Sequence, residues 1–254
     1  MRIGRLPTVT LALAMLISGM PLQAAQANHI SGTLLPDLGM HYIRNYSIET
    51  TAGQTRLRFT TIITNIGDGP LQVRGHSLQS NGEMLVDQQI KDSSGNWTSQ
   101  RTAFRMYFAG DGHSHWHVRD LATYTLQNAA ATIKRTGEKH GFCFFDNSEV
   151  NLDLRHAPQS PRYLAGGCGK ASSTSVTTGL SLGWGDKYVY KLPDQYINIT
   201  NLPAGQYTLT AMVDSQGYLR ERCEGNNITT AVLKITGTSV SVVTRGKASA
   251  ACSR

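Results

Sequence analysis

Three histidines stand at alternate positions in His113-Ser114-His115-Trp116-His117, a pattern that suits one metal ion. On an extended chain, side chains at i, i+2 and i+4 share a face, so three imidazoles are presented together. At about 3.3 Å per residue the outer two Cα atoms stand about 13 Å apart, so convergence requires the strand to twist or bend. Gly110-Asp111-Gly112, immediately upstream, supplies that freedom. Imidazole suits copper, zinc, iron or nickel, and spacing alone leaves the metal open. The competing explanation is a polar surface strand with solvated histidines. The other five histidines, His29, His41, His76, His140 and His156, are scattered.

The elements that must position this triplet read as strands. Apolar residues recur with period two. In 55–66, Leu57, Phe59, Thr61 and Ile63 alternate with Arg56, Arg58, Thr60 and Thr64; in 206–214, Tyr207, Leu209, Ala211 and Val213 alternate with threonines. Shorter β-rich runs are expected at 103–108, 121–126, 142–145, 187–192, 196–200, 228–235 and 239–244. Gly67-Asp68-Gly69-Pro70, Ser93-Ser94-Gly95-Asn96 and Pro203-Ala204-Gly205 mark turns between them. Many short strands with regular turn signals predict an all-β fold, an antiparallel β-sandwich with immunoglobulin-like packing, long loops and little helix. Segment 146–179, rich in Gly, Ser and Thr, is expected to be a long ordered loop with one short helix near 149–155.

The N-terminus carries Arg2 and Arg5 and no acid, then a short apolar run to Leu22 and a small-x-small site at Ala25-Gln26-Ala27. This reads as a secretory signal peptide over 1–27, too short to span a bilayer at the roughly 20 residues required. No later segment is apolar enough to span. The expected location is secreted or periplasmic. The formal charge is +7, falling to +5 without the leader, which removes two arginines. A mildly basic exported chain approaches anionic surfaces, while the lack of a basic run with interleaved aromatics excludes a nucleic-acid partner. Residues 28–236 are expected to form one domain, with 237–254 a last strand and a tail that is loose unless Cys252 ties it down. Four cysteines, Cys143, Cys168, Cys223 and Cys252, predict two disulfides in an oxidising compartment. Three pairings are open, the shortest separation favouring Cys143 with Cys168.

The stretch Gly112-His113-Ser114-His115-Trp116-His117-Val118-Arg119-Asp120-Leu121-Ala122-Thr123-Tyr124 resembles the copper-binding segment of the lysyl oxidases. Further pieces follow in family order. Leu34-Leu35-Pro36-Asp37-Leu38 resembles the opening of the catalytic domain. Leu57-Arg58-Phe59 with Asn65-Ile66-Gly67-Asp68-Gly69-Pro70-Leu71 resembles its first strand and turn, in a form similar to bacterial members. Gly137-Glu138-Lys139-His140-Gly141-Phe142-Cys143 resembles the segment bearing the crosslinked lysine. Gly179-Leu180-Ser181-Leu182-Gly183-Trp184-Gly185-Asp186-Lys187-Tyr188 resembles the one bearing the modified tyrosine, and 197–209 with Asn226-Asn227 fits the closing strands.

The resemblance implies copper on His113, His115 and His117, and a lysine tyrosylquinone cofactor made from Lys139 and Tyr188. The implied activity is oxidative deamination of a primary amine, a small amine or a protein's lysine side chain, with molecular oxygen as acceptor. Without the resemblance, Lys139 reads as an exposed turn lysine and Tyr188 as a core or edge tyrosine. They lie 49 residues apart, so only a fold that brings them together, on the histidines' side of the sandwich, permits the link. Asp186, two residues before Tyr188 and on the same strand face, is a candidate base; a solvated strand-end aspartate is the alternative. The chain differs from animal members in having fewer cysteines and Gly112 before His113, so neither disulfide pattern nor collagen and elastin substrates carry over. Two rival functions remain: a non-catalytic copper-binding or copper-buffering protein that uses the same histidines without the quinone, and an extracellular immunoglobulin-like binding module, which the turn, alternating strand and Asn-Asn of 202–227 also suit.

Overall fold

The computed structural model describes residues 32–110 and 114–252, so the leader expected at 1–27 and His113 lie outside the described residues. Three antiparallel sheets enclose one apolar core. The alternating run at 55–66 is the strand Gln54–Asn65, the centre of a six-stranded sheet. It pairs with Leu38–Met40, Arg44–Thr51, Trp184–Tyr188 and Tyr196–Asn198. From Leu57 to Asn65 both faces of this strand are buried, threonines included. Thr61 and Thr64 keep hydrogen-bond partners there, Tyr124 Oη at 2.9 Å and the Gly39 carbonyl at 3.2 Å, as buried hydroxyls require.

A seven-stranded sheet runs Gly141–Phe142, His115–Arg119, Trp97–Ala109, Glu83–Asp92, Leu71–Leu78 and Val176–Leu180, with Thr33–Leu34 added against Glu83–Asp92. A five-stranded sheet runs Lys134–Thr136, Ala122–Asn128, Gly205–Val213, Ile228–Thr236 and Ser239–Arg245. Phe59, Ile63, Val86, Met106, Trp116, Val118, Tyr124, Leu209 and Leu233 meet in the interior. This is the expected all-β sandwich.

Several local expectations change. The helix near 149–155 does not form; the helical piece is one 3-10 turn, Ala165–Cys168. The expected loop 146–179 ends in a strand, Val176–Leu180, which closes the seven-stranded sheet against Leu71–Leu78. The run expected at 187–192 is displaced upstream, to Trp184–Tyr188. Glu83–Asp92 went unread because Gln88 interrupts its inward apolar set. Gln88 is fully buried and satisfied by the Arg220 backbone, donating to its carbonyl at 2.9 Å and accepting from its N–H at 2.8 Å. Leu71–Leu78 was masked by Gly75, where any Cβ would sit 2.4 Å from Met106 Sδ.

The disulfides are Cys143–Cys168 and Cys223–Cys252, with no free cysteine among the described residues. The second ties down the tail. Ser249 donates its N–H to the Met40 carbonyl and accepts from Met40 N–H on its hydroxyl, both at 2.9 Å, so the tail acts as an extra edge on the Leu38–Met40 strand. Glu221 accepts from Leu38 N–H and from Asn227 at 2.9 Å, joining the chain's opening segment to its close.

Candidate active site

His115–Arg119 pairs with Trp97–Ala109 on one side and Gly141–Phe142 on the other. Its pleat sends Trp116 and Val118 into the core, so His115 and His117 project from the opposite face. Ser114, at φ 36°, turns the chain as it enters the strand, which is the bend that alternate histidines require. The two Nε2 atoms meet at 2.8 Å, and the rings stand edge to face with centroids 4.6 Å apart. His117 is buried even on this outer face. The Tyr107 ring packs edge-on against it at 5.8 Å, and the Gly141 backbone closes over it. A Cβ on Gly141 would stand 2.2 Å from His117 Nδ1 and 2.3 Å from Tyr107 Oη, so this position takes glycine alone.

Lys139 is not an exposed turn lysine. Gly137 donates to the Tyr124 carbonyl at 2.8 Å and Glu138 to the Tyr196 carbonyl at 3.0 Å, which pins the loop between two sheets and turns the next side chain inward. Lys139 is 3% exposed and Tyr188 6%. The Lys139 Nζ lies 5.0 Å from the centre of the Tyr188 ring, 5.1 Å from that of Phe142, and donates to Asp194 Oδ2 at 3.0 Å. Tyr188, opposite Thr61 on the central strand, points its hydroxyl at the Cys143 carbonyl, 3.4 Å away. Burial, and then the Asp186 carboxylate, hold that phenol well above its ordinary value.

Asp186 is 1% exposed and lies on Tyr188's face of the strand. Burial pushes its carboxyl up to about 7, against hydrogen bonds from Tyr188 and Asn147 and the positive charge of Lys139. A carboxyl poised near neutrality suits proton transfer. Two further acceptors nearby, Asp194 Oδ1 and Gln195 Oε1, are buried without a donor among the described residues.

The two groups of residues meet at one edge strand. Gly141 touches His117, while Phe142 packs edge-on against Tyr188 at 5.2 Å. Consecutive residues point to opposite faces, so His115 and His117 lie across the Gly141–Phe142 backbone from Lys139 and Tyr188. The lysine and tyrosine come together, but not on the histidines' side of the sandwich as expected, because the pleat of this edge strand sends Gly141 to one face and Phe142 to the other. The disulfide from Cys143 to Cys168 anchors the end of this divider.

A family profile described as lysyl oxidase matches residues 86–245, a span that carries both groups. This chain belongs to the lysyl oxidase family. Protein-lysine 6-oxidase of Rattus norvegicus is 28% identical over 128 residues, covering 49% of this chain and 28% of the rat protein. Lysyl oxidase homolog 2 is 25% identical over 119 residues in Bos taurus and 27% in Gallus gallus, in each case 46% of this chain and 14% of the relative. The chain thus spans well under a third of the length of these lysyl oxidase relatives.

Against that family background, the sequence had pointed to Lys139, Tyr188 and Asp186, and included Gly141 and Phe142 in the lysine's segment without a role of their own, but gave no sign of Asp194 or Tyr107. Asp194 follows Pro193 in an ordinary turn sequence, and its link to Lys139 crosses 55 residues. One other acidic group gathers in the described residues: Asp214, Glu221 and Glu224 bring carboxylate oxygens within 4.8 Å. Burial pushes Glu221 up to about 9, so at neutral pH a proton relieves the crowding of charge. Among the described residues no helix is long and apolar enough to cross a membrane.

Proposed function

We propose that this chain is an exported copper-dependent amine oxidase that converts primary amines to aldehydes. The observation that carries the reading is the approach of Lys139 Nζ to 5.0 Å from the Tyr188 ring, both buried and beside Asp186. His115 and His117, with Nε2 atoms 2.8 Å apart, fit two ligands of one ion, and His113 is the third ligand expected from the sequence. When bound, copper would supply the oxidation that links Lys139 to Tyr188, and the resulting lysine tyrosylquinone would supply the electron sink for amine oxidation.

The chain's own residues account for the remaining tasks. The hydrogen bond from Lys139 to Asp194 holds the lysine beside the ring. Phe142, Tyr188 and the surrounding core exclude water. Asp186 takes the proton from the substrate's α-carbon, because its carboxyl loses its own proton near pH 7. Overall, one amine, one dioxygen and one water give one aldehyde, one ammonia and one hydrogen peroxide. The two disulfides suit an oxidising compartment, in keeping with export.

The test is a copper-loaded preparation given a simple primary amine. Peroxide should be released, and a tryptic digest should contain the Lys139 and Tyr188 peptides joined. Lys139→Ala and Tyr188→Phe should each abolish peroxide while copper stays bound. Peroxide surviving both changes would refute the mechanism. Bound copper with no crosslink in the unaltered chain would favour the copper-binding rival.

A further inference from the structure

A cleft of about 650 Å³ opens on the Lys139 side of the edge strand. Buried Lys139 and Tyr124 form its floor, while exposed Arg119, Lys134 and His140 stand at its rim. Tyr124 separates it from the central strand, its hydroxyl 2.9 Å from Thr61 Oγ1, the residue paired with Tyr188. The cleft therefore reaches Lys139, with Tyr188 behind Tyr124, and neither His115 nor His117 lines it.

Its charge is lopsided. Asp120 is the single carboxylate on its wall, and it is engaged with His140 at 2.7 Å. Arg119 is answered from outside by Glu83 at 2.8 Å. Arg105 donates to the Ala103 and Phe104 carbonyls, and neither it nor Lys134 forms an ion pair among the described residues. Two cations of the cleft, Arg105 and Lys134, are left without a counter-charge, while Lys139 at its floor is held at 3.0 Å by Asp194, which stands behind the wall. A ligand matching this layout carries a primary amine at its tip and anionic groups beside it.

We infer that this cleft selects primary amines carried on an anionic backbone, specifically lysine side chains flanked by aspartate or glutamate in a peptide. The inference rests on the amine-oxidase reading for the reaction, but not for the binding. A strongly basic peptide meets Arg105 and Lys134 as like charges, and its approach is disfavoured over the whole rim. A cleft lined by one sign of charge raises the local concentration of the opposite sign by about tenfold or more at low salt.

The experiment compares two peptides with a central lysine, one flanked by aspartates and one by arginines, as substrates of the copper-loaded protein. The aspartate peptide should show kcat/KM at least about tenfold higher, and the ratio should shrink as salt rises from about 0.02 to about 0.5 M and screens the rim. An Arg105→Glu, Lys134→Glu double variant should reverse the preference. In parallel, the same peptides with norleucine in place of lysine, which cannot be oxidised, are titrated by fluorescence anisotropy. Tighter binding of the aspartate peptide supports the cleft even where no peroxide forms, and in that case it is the amine-oxidase reading that fails. Peroxide from a simple amine, with equal or better use of the arginine peptide, overturns the cleft and leaves the oxidase standing. A preference that the double variant does not shift overturns it as well.

Discussion

Asp186→Asn tests the buried carboxyl beside Tyr188. The native carboxyl is fully enclosed and keeps its proton to about pH 7, whereas an ordinary carboxylate ionises near 3.8. Between those values the unfolded chain has lost a proton that the folded chain retains. Stability therefore falls as pH rises from about 4 to about 7 and levels off above. The whole lift is worth about 4 kcal/mol at about 1.4 kcal/mol per pH unit, of which about 2.5 kcal/mol is felt between pH 5 and pH 8. Asparagine has no such slope and can still accept from Asn147. Every other titrating group is common to both proteins and cancels in the difference. Urea unfolding of the metal-free, uncrosslinked proteins at pH 5 and pH 8 measures it. The variant should gain about 2.5 kcal/mol on the wild type across that interval, about 5–10 °C in melting temperature for a chain this size. A difference in stability, variant minus wild type, that stays constant or falls as pH rises would refute the account of Asp186 as a buried acid. If the proposed amine oxidation holds, the same change in the copper-loaded, crosslinked protein should remove the rising limb of the rate near pH 7 and lower kcat by about a hundredfold or more.

Other expectations follow from contacts already described. Gly141→Ala forces a methyl against His117 and Tyr107, so it should cost about 1–3 kcal/mol by overpacking and weaken copper binding about tenfold or more by shifting His117. Thermal melts and a copper titration check it, and unchanged copper affinity would detach this glycine from the site. Replacing Cys223 and Cys252 together by serine opens a closure of 29 residues and should cost up to about 3.5 kcal/mol. Amide exchange at Met40 and Ser249 should then rise well above that of the central strand, and protection persisting at both would show that the tail holds without its disulfide.

What could be read from the chain alone was whatever depends on neighbours in sequence. The period-two runs at 55–66 and 206–214 specify strands because a strand's faces alternate residue by residue. The alternate histidines share a strand face for the same reason. Asp186 and Tyr188 share a face because they are two apart. Tertiary structure decided everything that crosses between strands. It buried Gln88 against Arg220 and Gly75 against Met106, which hid two long strands from any pattern of polarity. It turned Lys139 inward, a change no spacing shows, because two backbone hydrogen bonds from Gly137 and Glu138 to strands far along the chain set the loop's direction. It also placed Asp194 beside that lysine across 55 residues of sequence. Finally, it set His117 and Tyr188 on either side of Gly141–Phe142, because a strand's pleat gives successive residues to opposite faces whatever their chemistry.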